Sequence, residues 1–382
     1  MRLIALTAVA LALAACSPSP GSSSTSSSSR TSSPAGVINP ADTKAADLRT
    51  QLDLLLGEQV LLMAKQSAAA VDHSDAYAGY TTLLTTNGSD LSEVMLTAFG
   101  STAADQFSQM WSIENGYLVD YTIGVVTHNQ AKANGAMSGL VNGFVPQLAQ
   151  LITSLTQLPL DPITQLLSEQ VLEDKVVIES QFALKPTSTY PDLHTAYLQA
   201  ARLGDALAPR IAQKFPDKFP GNASAPAADR RVALVMLLQE NAYVATMATD
   251  SIVRGASAEQ AAATTALAAN ADSLGTTFSA LFGNAGGTQF DALWASRDAA
   301  LLSYANAGDG ASKQALTQAF VSQLSTLAHI SPTPVADQVA ATIQVIDDQR
   351  SKTSASLPND DRAAAGGMQA LGDAVVDSAP QG

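Results

Sequence analysis

Both tryptophans of this 382-residue chain fall in register within an internal repeat, and that repeat limits the fold more than any other feature. At an offset of 182 residues, Leu56-Gly57-Glu58-Gln59 recurs as Leu238-Gln239-Glu240-Asn241. At 183, Asn87 and Leu91 match Asn270 and Leu274, Phe99-Gly100 matches Phe282-Gly283, Phe107 and Trp111 match Phe290 and Trp294, and Tyr121 matches Tyr304. After a deletion in the second copy the offset becomes 168: Glu169-Gln170-Val171 matches Asp337-Gln338-Val339, and Leu203-Gly204-Asp205-Ala206 matches Leu371-Gly372-Asp373-Ala374. The reading is therefore two homologous units, 46–218 and 229–378, joined by a linker at 219–228 that is rich in Pro, Gly and small residues.

Within each unit the apolar period is helical. Leu48, Leu52, Leu55, Gln59 and Leu62 recur at three and four residues, as do Phe107, Trp111, Glu114, Leu118 and Tyr121. Abundant alanine favours helix, and alternating β-branched runs are missing. The expected fold class is all-α: two tandem bundles, each of about four helices plus an added helical pair. Breaks are expected at 72–75, 87–90, 99–101, 158–159 and 185–186, with Ser89 or Asp90 as an N-cap and 283–287 as a glycine loop.

The chain starts differently. One positive charge at Arg2 precedes an apolar run to Ala15, and Leu13-Ala14-Ala15-Cys16 ends it. That is the layout of a secretory signal with small residues before the cut. The quartet resembles the lipobox of bacterial lipoproteins, which implies that 1–15 is a signal peptide and that Cys16, the only cysteine, carries the lipid. An incidental cysteine after a plain signal is the alternative. Residues 16–45 open with Cys16 and Ser17-Pro18-Ser19-Pro20-Gly21 and continue almost entirely as Ser and Thr to 33, a composition with too little apolar surface to order itself, so a flexible tether is expected. No later stretch reads as long and apolar enough to span a membrane.

Polar residues interrupt the apolar stripes at matched places. Gln59, Glu114 and Gln170 in the first copy correspond to Asn241, Arg297 and Gln338 in the second. Inward-facing polar groups need partners, so these six are the candidate ligand positions, and the readings are an internal network, a small-ligand pocket or a metal. Opposite charge at Glu114 and Arg297 suggests a pair across a pseudo-twofold axis, against the plainer reading of exposed stripe edges.

The runs Leu55-Leu56-Gly57-Glu58-Gln59, Phe107 to Trp111, Val119-Asp120-Tyr121-Thr122 and Lys214-Phe215-Pro216-Asp217-Lys218-Phe219-Pro220 together resemble exported bacterial proteins with tandem helical modules, some labelled copper amine oxidase-like. That resemblance implies histidines inside each bundle. Here the corresponding places hold Gln59, Glu114, Gln170, Asn241, Arg297 and Gln338; amides are poor ligands for borderline metals and an arginine opposes one. No metal and no cofactor are expected.

The remaining counts exclude several classes. One cysteine removes disulfide scaffolds and thiolate metal sites. Thirty-four acids against 20 bases, without a basic cluster, argue against a nucleic-acid partner. His73, His128, His194 and His329 lack histidine neighbours at helical spacing and read as surface residues. Asp347-Asp348 and Asp360-Asp361 read as solvated charge, and Asp205 and Asp373 as a helix cap or an inter-helix bond. The expected protein is not an enzyme. It is an exported, lipid-anchored envelope module whose partners are the membrane and either an envelope protein or a small ligand, with ligand or metal binding inside the bundles as the alternative.

Overall fold

The computed structural model describes residues 39–380, and among them there is no strand. The first half runs α1 (Lys44–Val71), α2 (Tyr77–Phe99), α3 (Ser101–Val126), α4 (Gln130–Gly139), a π-helical turn (Leu140–Phe144), α5 (Val145–Thr156), α6 (Leu160–Phe182) and α7 (Pro186–Lys214). The second runs α8 (Pro226–Arg254), α9 (Ser257–Ala307), α10 (Gly310–Gln314), a π-helical turn (Ala315–Phe320), α11 (Val321–Leu327), α12 (Pro332–Ser351) and α13 (Leu357–Ser378). The fold is all-α.

Local chemistry accounts for the ends. Thr43, Asn129 and Asp309 each accept a backbone N–H from three residues on, at 3.2, 3.0 and 2.7 Å. Pro186, Pro226 and Pro332 open α7, α8 and α12, where a missing N–H costs no helical bond. The turn between α2 and α3 is made by Gly100 with φ 92°, and α9 has the same kink at Gly283, φ 80°. A side chain would strain either position. Helix resumes directly after Gly283, so 283–287 is a kink and not the loop expected from its glycines.

Two further expectations are corrected. Helix α2 runs unbroken through 87–90, so neither Ser89 nor Asp90 is an N-cap. The amide of Asn87 donates to Leu55 O and to Glu58 on α1, both at 2.9 Å, rather than competing with its own backbone. Helix α8 is long and apolar enough to cross a membrane by length and composition, contrary to the sequence reading. Its most apolar window is 89% buried inside the bundle, packed against α1, α9, α12 and α13. The helix is buried on most sides by its central position, and its polar Glu240 and Asn241 are hydrogen-bonded inside the bundle.

Helices α1 and α8 contact each other, and one continuous hydrophobic core runs through both halves. Polar contacts between the halves are reciprocal. Arg49 bonds Asp205 of its own half, Asp229 of the other and Ala223 O; Arg231 bonds Asp373, Asp47 and Ala41 O. Every partner in one set stands at the repeat offset from its counterpart in the other. The two sets of contacts mirror each other residue by residue. Gly204 and Gly372 allow the close approach beside these clasps, since a Cβ would run into Asp53 at one and Val235 at the other.

Candidate functional site

The six stripe positions fall into two polar seams, one per half. In the first, the Gln59 amide on α1 donates to Glu114 Oε2 at 3.0 Å and to Asn115 Oδ1 at 3.3 Å, and Asn115 donates to Leu84 O. On α6, Gln170 donates to Asp174 Oδ1 at 2.8 Å. Glu114 and Asp174 are buried with no cation in contact. Burial, reinforced by the Asp174 charge and only partly offset by the Gln59 bond, pushes the Glu114 carboxyl up to about 8. Burial likewise raises Asp174 to about 7. Glu114 therefore keeps its proton at neutral pH, while Asp174 is about half protonated there.

In the second seam Arg297 on α9 donates from Nη1 to Asn241 Oδ1 at 2.9 Å and to Asp298 Oδ1 at 2.7 Å. Its guanidinium also lies 4.6 Å from the Trp294 ring centre. Asn241 donates to Asn270, which donates to Glu240 and Leu237 O. Gln338 bonds Thr342 at 2.8 Å, and Thr342 occupies the place of Asp174. Burial raises Asp298 to about 6, with Arg297 opposing the shift.

Glu114 and Arg297 do not meet across the axis; each is bonded within its own half. Nor are they exposed edges, at 3% and 2% accessible. A charge pair at matched positions of opposite sign does join the halves elsewhere: Asp72 at the end of α1 and Arg254 at the end of α8, 2.8 Å apart and related by the 182 offset. Among the described residues no three His, Cys, Asp or Glu side chains form a group fit for a metal. Cys16 lies outside the described residues.

Several residues that the sequence reading passed over carry the contacts between halves. Glu58 is bonded by Arg362 at 3.1 and 2.8 Å and by Tyr243, and Arg362 also reaches Asp90. The matched pair is Glu240 with His194 Nδ1, 2.7 Å. This bond holds the His194 pKa above its ordinary value against burial. His194 is thus a structural partner, whereas His73, His128 and His329 are exposed residues in left-handed backbone past helix ends, φ 53°, 54° and 54°. Asp361 is buried, bonded to Lys65 Nζ at 2.8 Å, Tyr80 and Thr246, and Asp348 is buried against Ser356 and Gln344; neither is solvated charge. Asp53 is fully buried, and neither of its oxygens has a hydrogen-bond partner. Recurrence of the glutamate in Leu-x-Glu at 58 and 240 was the signal available for part of this.

A cleft of about 560 Å³ opens between the halves where α1 and α8 end and α7 and α9 begin. Lys65, Tyr80, Tyr190, Leu193, Met247 and Arg254 are among its lining. None of the six stripe residues lines it. Compared with known protein families, with curated proteins and with solved structures, the chain matches none.

Proposed function

We propose that this chain is an exported protein held to a membrane by lipid on Cys16, and that it works as a non-enzymatic binding module. The Leu13-Ala14-Ala15-Cys16 quartet followed by a Ser-rich tract supports the anchor, since several acyl chains on one residue meet the two-signal requirement for stable attachment. The two halves are read as copies of one ancestral bundle, packed about their central helices.

The observation that carries the binding reading is where the polar groups are committed. The six seam residues bond mainly to one another and to their neighbours inside each half, so they account for the architecture. The cleft between the halves has the size and mixed lining of a small-molecule seat. Ligand binding is accordingly placed there in this reading, not inside the bundles.

Labelling of the expressing cells with a palmitate analogue tests the anchor. The wild-type chain is expected to take up label and partition with membranes, while Cys16→Ala does neither. Equal labelling of the variant would sink the anchored reading.

A further inference from the structure

We infer that the cleft between the halves takes a small organic cation with an apolar body, an alkyl- or arylammonium compound, through the carboxylates at its mouth. This rests on the reading of the cleft as the ligand seat.

The class follows from which charges are already engaged. Two of the cations lining the cleft are tied to protein acids. Lys65 Nζ is held by Asp361 at 2.8 Å and Thr246 at 2.9 Å. Arg254 has all three nitrogens occupied: Nη1 by Asp72 at 2.8 Å, Nε by Asp250 at 2.7 Å and Nη2 by Glu259 at 2.7 Å. An anionic ligand would have to displace these bonds, leaving exposed Lys185 at the rim as its remaining attraction.

The acids are differently placed. Three carboxylates, Asp72, Asp250 and Glu259, face the Arg254 guanidinium, and with Lys65 paired to Asp361 and Lys185 counted at the rim the cleft keeps one net negative charge. Arg254 engages Oδ2 of Asp72, Oδ2 of Asp250 and Oε2 of Glu259, Tyr190 is also hydrogen-bonded to Glu259, and each of these acids keeps about a third of its side chain accessible. Burial raises the pKa of Asp72 and of Glu259 against the opposing Arg254 charge, and the neighbouring carboxylates push the same way as burial. Behind the acids, Tyr80, Tyr190, Leu193 and Met247 offer apolar and aromatic surface, which suits an organic ammonium better than a hydrated metal ion. The acidic excess of the whole chain draws cations toward the protein.

Titration calorimetry on the intact chain with three probes of one shape tests this: benzyltrimethylammonium, benzyl alcohol and phenylacetate. The ammonium compound is expected to bind at least tenfold more tightly than phenylacetate, with the alcohol between them. Asp250→Asn with Glu259→Gln should weaken the ammonium at least fivefold and leave the alcohol unchanged. Ala258→Trp, which plants an indole at the mouth from an exposed position, should abolish binding of all three. Phenylacetate binding as tightly as the ammonium, or an unchanged affinity in the carboxylate variant, would overturn the cation assignment while leaving the cleft as a seat. Failure of all three probes to bind, or undiminished binding in Ala258→Trp, would remove the cleft itself.

Discussion

Glu114 on α3 and Arg297 on α9 stand at matched positions, equally buried, beside matched tryptophans, yet they solve the burial of charge in opposite ways. The first half holds two carboxyl groups, Glu114 and Asp174, with amides for company and no cation in contact. The second holds an arginine, compensated by the adjacent Asp298, and replaces the second acid by Thr342. An acid without a cation can shed its charge by keeping its proton; a guanidinium cannot, and must have a counter-ion. The contrast shows that helix packing fixes where a polar group is needed inside such a bundle and leaves its charge to local chemistry.

The largest effect is expected where charge cannot be shed. Arg297→Met strands Asp298 and Asn241 in the interior and should cost about 3–5 kcal/mol, read as the shift in urea unfolding. A variant as stable as wild type would mean the second seam is not an ion-paired structure.

A comparable loss is expected at the other broken symmetry. Lys65 and Asp361 pair inside the structure, while the matched positions Met247 and Leu193 are apolar. Lys65→Met alone leaves an unpaired buried aspartate and should cost about 3–5 kcal/mol. Adding Asp361→Leu should recover at least half of that loss, because the fold already accommodates the apolar pair in its other half. A double-mutant cycle measures the coupling; additive losses would contradict it.

Next in size, Asp53→Val should stabilise the chain by about 1–3 kcal/mol. Asp53 is buried with neither oxygen hydrogen-bonded among the described residues and only a long ion pair to Arg49, 3.6 Å, and Val235 fills the matched place. Destabilisation in the variant would show that the ion pair with Arg49 outweighs the cost of burying the carboxylate.

The smallest effect is at the His194–Glu240 contact, whose counterpart is Arg362–Glu58. Histidine with a raised folded pKa stabilises fully below its unfolded value, about 6.5, and that contribution is lost as pH rises through the folded value. His194→Arg should therefore gain less than about 1 kcal/mol at pH 8, since the side chain is half exposed, and nothing at pH 5. A gain that is the same at both pH values would break the comparison.

The helical period, the helix ends at proline and glycine and the six seam positions could all be read from the residues, because each depends on neighbours within a turn or on a recurrence along the chain. What could not be read was partnership. Asp360-Asp361 looks like surface charge until α13 carries Asp361 onto Lys65 of α1, about 300 residues earlier. Asn87-Gly88-Ser89-Asp90 has turn composition, yet Asn87 finds its hydrogen bonds on α1 and the helix continues. Opposite charges at 114 and 297 suggested a pair, but their own halves supply nearer partners. The same matching applied to 72 and 254 gives the pair that does form.

The first half buries two carboxyl groups, Glu114 and Asp174, that no cation compensates. Their raised pKa values make the folded chain bind more protons than the unfolded one, so stability falls as pH rises, for Glu114 between about 4.5 and about 8 and for Asp174 between about 3.8 and about 7. Urea unfolding of wild type and of Glu114→Gln with Asp174→Asn, at pH 5 and pH 8, tests this directly. Wild type should lose several kcal/mol between the two, at about 1.4 kcal/mol for each proton over one pH unit, and the double variant should lose a large part of that dependence, the remainder belonging to Asp53 and Asp298. An equal loss in both proteins would contradict the account.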